Sequence, residues 1–150
     1  MVRVKICGNT DSGQVRMAAE SGADCVGFVV EYPVDVPWNL ARDEARDLLR
    51  LVPPLVSTAV VTGGSAEHVL AVARDLRPDV LQLHTDNTVE ETVLIARKLG
   101  EHGMRLVRAL RINVSDGSAE GDIPDPLEAA EALQETGIGA LLLDARTGDM

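Results

Sequence analysis

A repeated alternation between two kinds of segment constrains this chain more than any other feature of its sequence. Short runs rich in β-branched residues predict strands over residues 2–7, 24–30, 56–62, 79–84, 105–112 and 139–144. Segments with a helical spacing of apolar residues predict helices over residues 12–21, 41–51, 66–76, 89–99 and 127–136. Strands that alternate with helices form βα units, so we predict an α/β fold with a parallel sheet.

Two architectures are built from such units, the open doubly wound sheet and the eight-stranded barrel. The count of six strands favours the open sheet, because a full barrel needs two more units and typically ~200 residues or more. The strand ends favour the barrel, because reactive side chains at the carboxyl ends of many strands are typical of a barrel active site. Such side chains end the predicted strands or lie late in them: Cys7, Thr62, His84, Arg108, Arg111 and Asp144.

The composition limits the class of protein. The 150 residues, 45% of them apolar, suffice for one domain with a sizeable core. The formal net charge is −10, so we expect no nucleic-acid partner, because phosphate binding needs a basic surface. No apolar stretch approaches the ~20 residues of a membrane span, and no signal-peptide core follows Met1, so we expect no membrane partner and a cytoplasmic location. The spacing of Cys7 and Cys25 predicts neither a metal-ligand pair nor a disulfide.

Five segments resemble the phosphoribosylanthranilate isomerase family, in the same order and at similar spacing. They are residues 4–10 (VKICGNT), 21–29 (SGADCVGFV), 82–84 (QLH), 108–111 (RALR) and 141–144 (LLLD). The resemblance runs along essentially the whole chain but covers only the first six of the family's eight strands. It implies a (β/α) barrel of the TIM type, with six of eight βα units present and residues 1–150 forming a single, incomplete barrel domain.

The resemblance also implies a function and a site. The family converts N-(5′-phosphoribosyl)anthranilate to 1-(2-carboxyphenylamino)-1-deoxyribulose 5-phosphate in tryptophan biosynthesis, with no metal and no organic cofactor. By resemblance, Cys7 is the general base and Asp144 the general acid. The residues that we expect to bind this small phosphosugar substrate are Lys5, Gln82, His84, Arg108 and Arg111.

The chemistry explains why a thiol and a carboxyl group are needed. An acid protonates the ribose ring oxygen so that the ring opens to a Schiff base, and a base then removes the proton from C2′. Cys7 must be partly ionised to act, and Lys5 or loop amides can favour that state. Asp144 must instead hold a proton near neutrality, which requires desolvation or a nearby acid. The alternatives are a small buried Cys7 and an Asp144 that only caps a helix.

The loop after the second strand departs from the family's pattern. Family members carry a Pro-Arg pair there, and that arginine holds the anthranilate carboxylate, whereas this chain has Val34. A carboxylate buried without a cation is costly, so either Arg42, Arg108 or Arg111 substitutes or the substrate differs. The same loop holds two of the chain's three aromatic residues, Tyr32 and Trp38, which either stack on a planar ring or pack the loop onto the barrel.

The end of the sequence is a second departure. The family binds the substrate phosphate through loops after strands seven and eight, and a sheet of six strands leaves two open edges. Three explanations remain: truncation of a longer parent, which we favour, a homodimer or partner chain that completes the barrel, or a real six-stranded variant. We expect such a fragment to be inactive alone.

The alternative functions are a related enzyme acting on another phosphosugar and a non-catalytic partial barrel that serves in binding or assembly. The acidic loop over residues 113–125 is expected to be disordered rather than a lid.

Overall fold

The strands form one parallel sheet. The computed structural model describes residues 2–85 and 87–147. Its strands are β1 (Lys5–Ile6), β2 (Cys25–Val30), β3 (Asn39–Leu40), β4 (Ser57–Thr62), β5 (Val80–Leu83), β6 (Arg105–Asn113) and β7 (Ala140–Arg146). They pair in the order β1-β2-β4-β5-β6-β7, and the short β3 continues the edge of β2 beyond β1. Because chain neighbours are sheet neighbours throughout, the sheet curls in one direction as a partial TIM barrel. The predicted fold class is confirmed.

The helices alternate with the strands: α1 (Ser12–Glu20), α2 (Arg42–Leu49), α3 (Ala66–Leu76), α4 (Val89–Gly100) and α5 (Pro126–Gln134). All but α2 begin after a polar residue whose side chain accepts a hydrogen bond from a backbone N–H of the first turn, and these caps are Asp11, Ser65, Thr88 and Asp125. In α2 the carboxylate of Glu44 instead accepts from the N–H of Ala41. The sequence thus specifies where each helix begins.

The two faces of the sheet have different compositions. The outward face packs against the helices and carries the main core, with Phe28, Val60, Leu81 and Leu83 fully buried. The register places Gly27 beside Ala59, and Val61 beside Gln82, on the opposite, inward face. Small and polar side chains on the inward face leave room for a cavity at the carboxyl ends of the strands.

The sequence-based boundaries differ from the structure in a few places. Strand β1 is shorter than the predicted residues 2–7, and β3 was not predicted because its two residues carry no period of their own. The loop between β6 and α5 has defined contacts: Ala119 is buried and bridges Ile112, and the N–H of Glu120 donates to the carbonyl of Arg111. The expectation of a disordered loop is therefore wrong. Both cysteines are free, as expected.

Apolar side chains are exposed at both ends of the sheet. On the outward face of the two end strands, Ile6 is 44% exposed and Leu143 is 70% exposed. An open apolar cleft of about 800 Å³ lies beside Leu143, between β7 and α5. Within residues 2–85 and 87–147, no helix combines the length and apolarity needed to cross a bilayer.

Candidate active site

A cavity of about 300 Å³ opens on the inward face at the carboxyl ends of the strands. It brings together four of the predicted site residues: Lys5, Cys7, Gln82 and His84. The remaining lining is apolar or aromatic and comes from the sheet and from the loop after β2: Val29, Tyr32, Val36, Trp38, Val61 and Leu142. Lys5 is thus the one charged side chain among the described residues that line the cavity.

Cys7 follows β1 directly and is exposed. The turn after it is held by Asn9, a buried side chain whose amide donates to the carbonyls of Ile6 and Gly27. Gly27 on β2 makes room for the thiol, because a Cβ at that position would lie 2.7 Å from Sγ of Cys7. Sequence reasoning did not identify Gly27, although glycine in a strand interior often marks a close approach of this kind.

Polar side chains form a chain of contacts across the site. Nζ of Lys5 donates to Oε1 of Gln82. Nε2 of Gln82 lies 3.0 Å from Nδ1 of His84, and Nε2 of His84 lies 3.1 Å from Oδ2 of Asp144. His84 continues the ladder of β5, since its N–H donates to the carbonyl of Thr62. The two proposed catalytic groups therefore lie at one site, with Cys7 in the cavity and Asp144 in contact with a residue that lines it.

His84 is buried enough for its protonation to be affected. Desolvation lowers the pKa of the imidazole, the carboxylate of Asp144 opposes that shift, and the charges of Arg111 and Lys5 add to it. The net direction is a lowered pKa, which favours the neutral imidazole. The hydroxyl of Tyr32 donates to the carbonyl of His84 at 2.8 Å, which fixes the loop after β2 over the site.

Asp144 is only partly buried. Its side chain is 42% exposed, and Oδ2 contacts the imidazole of His84. Arg111 lies opposite it in the register of β6 and β7.

Two of the three arginines of β6, Arg108 and Arg111, point to opposite faces. Arg111 is on the inward face, where its guanidinium lies 2.8 Å from Glu120, a partner that sequence reasoning missed. Arg108 pairs in register with Leu83 on the outward face, is 4% exposed, and donates to the carbonyls of Ala109 and Asn87. This corrects the expectation that Arg108 reaches the substrate cavity. Residues three apart on a strand cannot share a face, so the spacing already contained this signal.

Arg42 was one of the arginines expected to substitute for the family's arginine, whose position Val34 occupies in this chain. Arg42 is held by two carboxylates, with Nη2 at 2.6 Å from Glu31 and Nη1 at 2.7 Å from Asp75. Arg42 therefore binds carboxylates at the base of the loop after β2 and does not line the cavity. Lys5, Arg111 and Arg146 lie on the inward face, and the last two bind the same carboxylate, Glu120.

Comparison with known proteins identifies relatives of one kind. No protein-family model matches the chain. The N-(5′-phosphoribosyl)anthranilate isomerase of Haloferax volcanii is 41% identical over 92 residues, which are 61% of this chain and 42% of that protein. N-(5′-phosphoribosyl)anthranilate isomerase 1 of Methanosarcina mazei is 30% identical over 147 residues, 95% of this chain and 62% of that protein. The chain is thus similar to phosphoribosylanthranilate isomerases over 95% of its length. It spans about half the length of these two curated relatives.

Solved structures of phosphoribosylanthranilate isomerases share the fold. That of Thermotoga maritima superposes with a TM-score of 0.78 at 29% identity, covering 100% of this chain and 64% of that one. A structure in complex with reduced 1-(o-carboxyphenylamino)-1-deoxyribulose 5-phosphate gives 0.76 at 29% identity, covering 97% and 66%. Monomers of the dimeric enzyme of T. maritima give 0.74 at 30% identity, covering 99% and 66%.

Proposed function

We propose that this chain belongs to an isomerase that converts N-(5′-phosphoribosyl)anthranilate to 1-(2-carboxyphenylamino)-1-deoxyribulose 5-phosphate in tryptophan biosynthesis. The observation that carries the proposal is a single site in which the exposed thiol of Cys7 lines a cavity and Asp144 contacts His84 of the same cavity. A relative bound to a reduced phosphosugar of this type supports the substrate class. The reaction as proposed uses no metal and no organic cofactor and takes place in the cytoplasm.

The proposed roles divide the proton transfers between two sides of the site. Asp144 donates a proton to the ribose ring oxygen, and the ring opens to a Schiff base. Cys7 then removes the proton from C2′, which gives an enolamine that rearranges to the ketone. Lys5, Gln82 and His84 bind and orient the sugar between the two groups.

Replacing either group tests these roles. On the complete natural protein that contains this chain, Cys7→Ala and Asp144→Asn should each lower turnover of N-(5′-phosphoribosyl)anthranilate by about 10²–10⁴-fold, the usual contribution of a general acid or base. Cys25→Ala is the matched control, since it removes the other free thiol and should leave turnover unchanged. Turnover that survives both substitutions would rule out the assignment.

A second candidate is an isomerase of the same type with another phosphosugar substrate. The observation that favours it is Val34 in place of the family's arginine, together with a cavity whose described lining has one cation, Lys5. We propose that Lys5 or Arg111 holds the anthranilate carboxylate. Rates with substrates that carry or lack this carboxylate distinguish the two candidates: equal rates favour the second, and a strong preference that Lys5→Met or Arg111→Met removes favours the first.

We further propose that a second copy of the chain covers the exposed apolar residues on the outward face of β7. The dimeric relative and the 70% exposure of Leu143 beside an apolar cleft support this partner. Sedimentation at increasing concentration should show a dimer that Leu143→Glu dissociates. Val93→Glu, at an exposed position on α4, is the control and should leave the dimer intact. A chain that stays monomeric would exclude a second copy and leave the remainder of a longer parent or a different partner chain.

A further inference from the structure

The polar contacts across the cavity have donor and acceptor directions that the proposed roles of Cys7 and Asp144 do not explain. It runs from Lys5 on β1 through Gln82 on β5 and the adjoining His84 to Asp144 on β7. Each of the three contacts joins two hydrogen-bonding groups. The first of these groups, the ammonium of Lys5, can only donate. The direction of the first contact therefore determines the direction of the others.

The ammonium group of Lys5 has donors and no acceptor, so the atom of Gln82 that it meets is the amide oxygen. The other end of that amide, an NH₂ group, then faces Nδ1 of His84 at 3.0 Å and must donate to it. Nδ1 is consequently an acceptor without a proton. A neutral imidazole with a bare Nδ1 carries its proton on Nε2, and this N–H points at Oδ2 of Asp144 at 3.1 Å.

The charges around His84 are consistent with a neutral ring. Lys5 on β1 and Arg111 on β6 disfavour an added proton, as does burial, while Asp144 on β7 favours it. Tyr32, in the loop after β2, meets the ring edge-on with centroids 6.3 Å apart and donates its hydroxyl proton to the backbone carbonyl of His84. The amide of Gln82 also occupies the lone pair of Nδ1 that a second proton would need.

We propose that Lys5 and Gln82 fix His84 as the neutral tautomer protonated on Nε2, and that His84 thereby acts as a positioning residue for Asp144. Because an N–H already points at Oδ2, a proton carried by Asp144 resides on the other oxygen, Oδ1. This last step rests on the proposed function, whereas the tautomer does not.

The proton transfer then has a defined course. The O–H bond at Oδ1 of Asp144 breaks, and the ribose ring oxygen takes the proton. The bond between that oxygen and C1′ breaks while the lone pair of the anthranilate nitrogen forms the C=N bond. The carboxylate left on Asp144 keeps the hydrogen bond from Nε2 of His84, which stabilises the new negative charge.

The tautomer can be tested without substrate by ¹⁵N NMR of the whole chain labelled in its three histidines. The signals of His84, assigned by their loss in His84→Asn, should show an unprotonated Nδ1 and a protonated Nε2 at neutral pH. They should keep this pattern below pH 6.5, the ordinary pKa of a histidine side chain. An Nδ1–H tautomer, a mixture or an imidazolium ring at neutral pH would overturn the proposal.

Variants test the cause of the tautomer. Gln82→Leu has no amide and should give a mixture of tautomers, and Lys5→Met should do the same because the amide of Gln82 can then turn. Lys5→Arg keeps a cation with donors only and should restore the single form. An unchanged pattern in folded Gln82→Leu would contradict the mechanism, and if that variant fails to fold, the two Lys5 variants decide. Since no turnover is measured, a failure here differs from a failure of the proposed isomerase activity, which Cys7→Ala tests.

Discussion

At the scale of single residues, the position of Cys7 depends on a glycine of the neighbouring strand. A Cβ at position 27 would lie 2.7 Å from Sγ of Cys7 and 3.3 Å from its Cβ, closer than side chains pack. The thiol is therefore seated against bare backbone, with the buried Asn9 holding the turn beside it. The absence of a side chain at this position is part of the site.

Gly27→Ala is expected to lower the free energy of unfolding by about 1–3 kcal/mol, the usual cost of overpacking. Adding Cys7→Ala removes Sγ, the atom closest to the new Cβ. The double variant should therefore lose less unfolding free energy than the sum of the losses in the two single variants. Urea unfolding of the four proteins measures this coupling. Gly100→Ala, where a Cβ meets open space on α4, is the control and should not couple with Cys7→Ala.

His84 should give the stability of the chain a pH dependence of definite sign. Burial lowers the pKa of its imidazole in the folded chain, so below about pH 6.5 the unfolded chain takes up a proton first. The free energy of unfolding therefore falls as the pH drops through the unfolded value toward the folded one. His84→Gln should flatten this part of the curve. A slope equal to that of the unsubstituted chain would exclude His84 as the source.

At the scale of elements, the loop between β2 and α2 is anchored by one ionic cluster. Glu31, whose backbone has a φ of 45°, binds both Nε and Nη2 of Arg42, and Asp75 of α3 binds Nη1. The cluster joins the end of a strand, the first residue of a helix and a neighbouring helix. It lies at the base of the loop that carries Tyr32 and Trp38 to the cavity.

Arg42→Met should cost about 1–2 kcal/mol of unfolding free energy, because it leaves two partly exposed carboxylates without their partner. Arg46→Met is the matched control: it replaces the same residue type on the same helix, in an ion pair with the exposed Asp43. Its expected cost is below about 0.5 kcal/mol. The anchor would be without energetic effect if the two variants unfolded at the same urea concentration.

At the scale of the whole molecule, the core is a single layer between the outward face of the sheet and the helices. It consists mainly of Val, Leu and Ala, and Phe28 at its centre is the one phenylalanine of the chain. The inward face contributes the cavity instead of a packed interior. Stability therefore depends on the outward layer.

Phe28→Ala should lower the free energy of unfolding by about 3–5 kcal/mol, a large share of the ~5–15 kcal/mol of a typical domain. Leu127→Ala, at a position that is 74% exposed, should change it by less than about 0.5 kcal/mol. Denaturant midpoints with unchanged slopes provide the measurement. A small effect at Phe28 would show that the core is distributed differently from this description.

The sequence by itself determined the alternation of strands and helices, the caps that begin the helices, and the pairs Lys5–Cys7 and Gln82–His84, because these depend on local periodicity. The spacing of Arg108 and Arg111 put them on opposite faces, but the sequence did not determine which of the two faces the helices, that Glu120 binds Arg111, or that β3 exists. Those features depend on register between strands and on loops that return to the sheet, and neither leaves a period in the sequence. The path from Lys5 to Asp144 likewise has two steps that join residues 77 and 60 positions apart, which only the curled sheet could bring together.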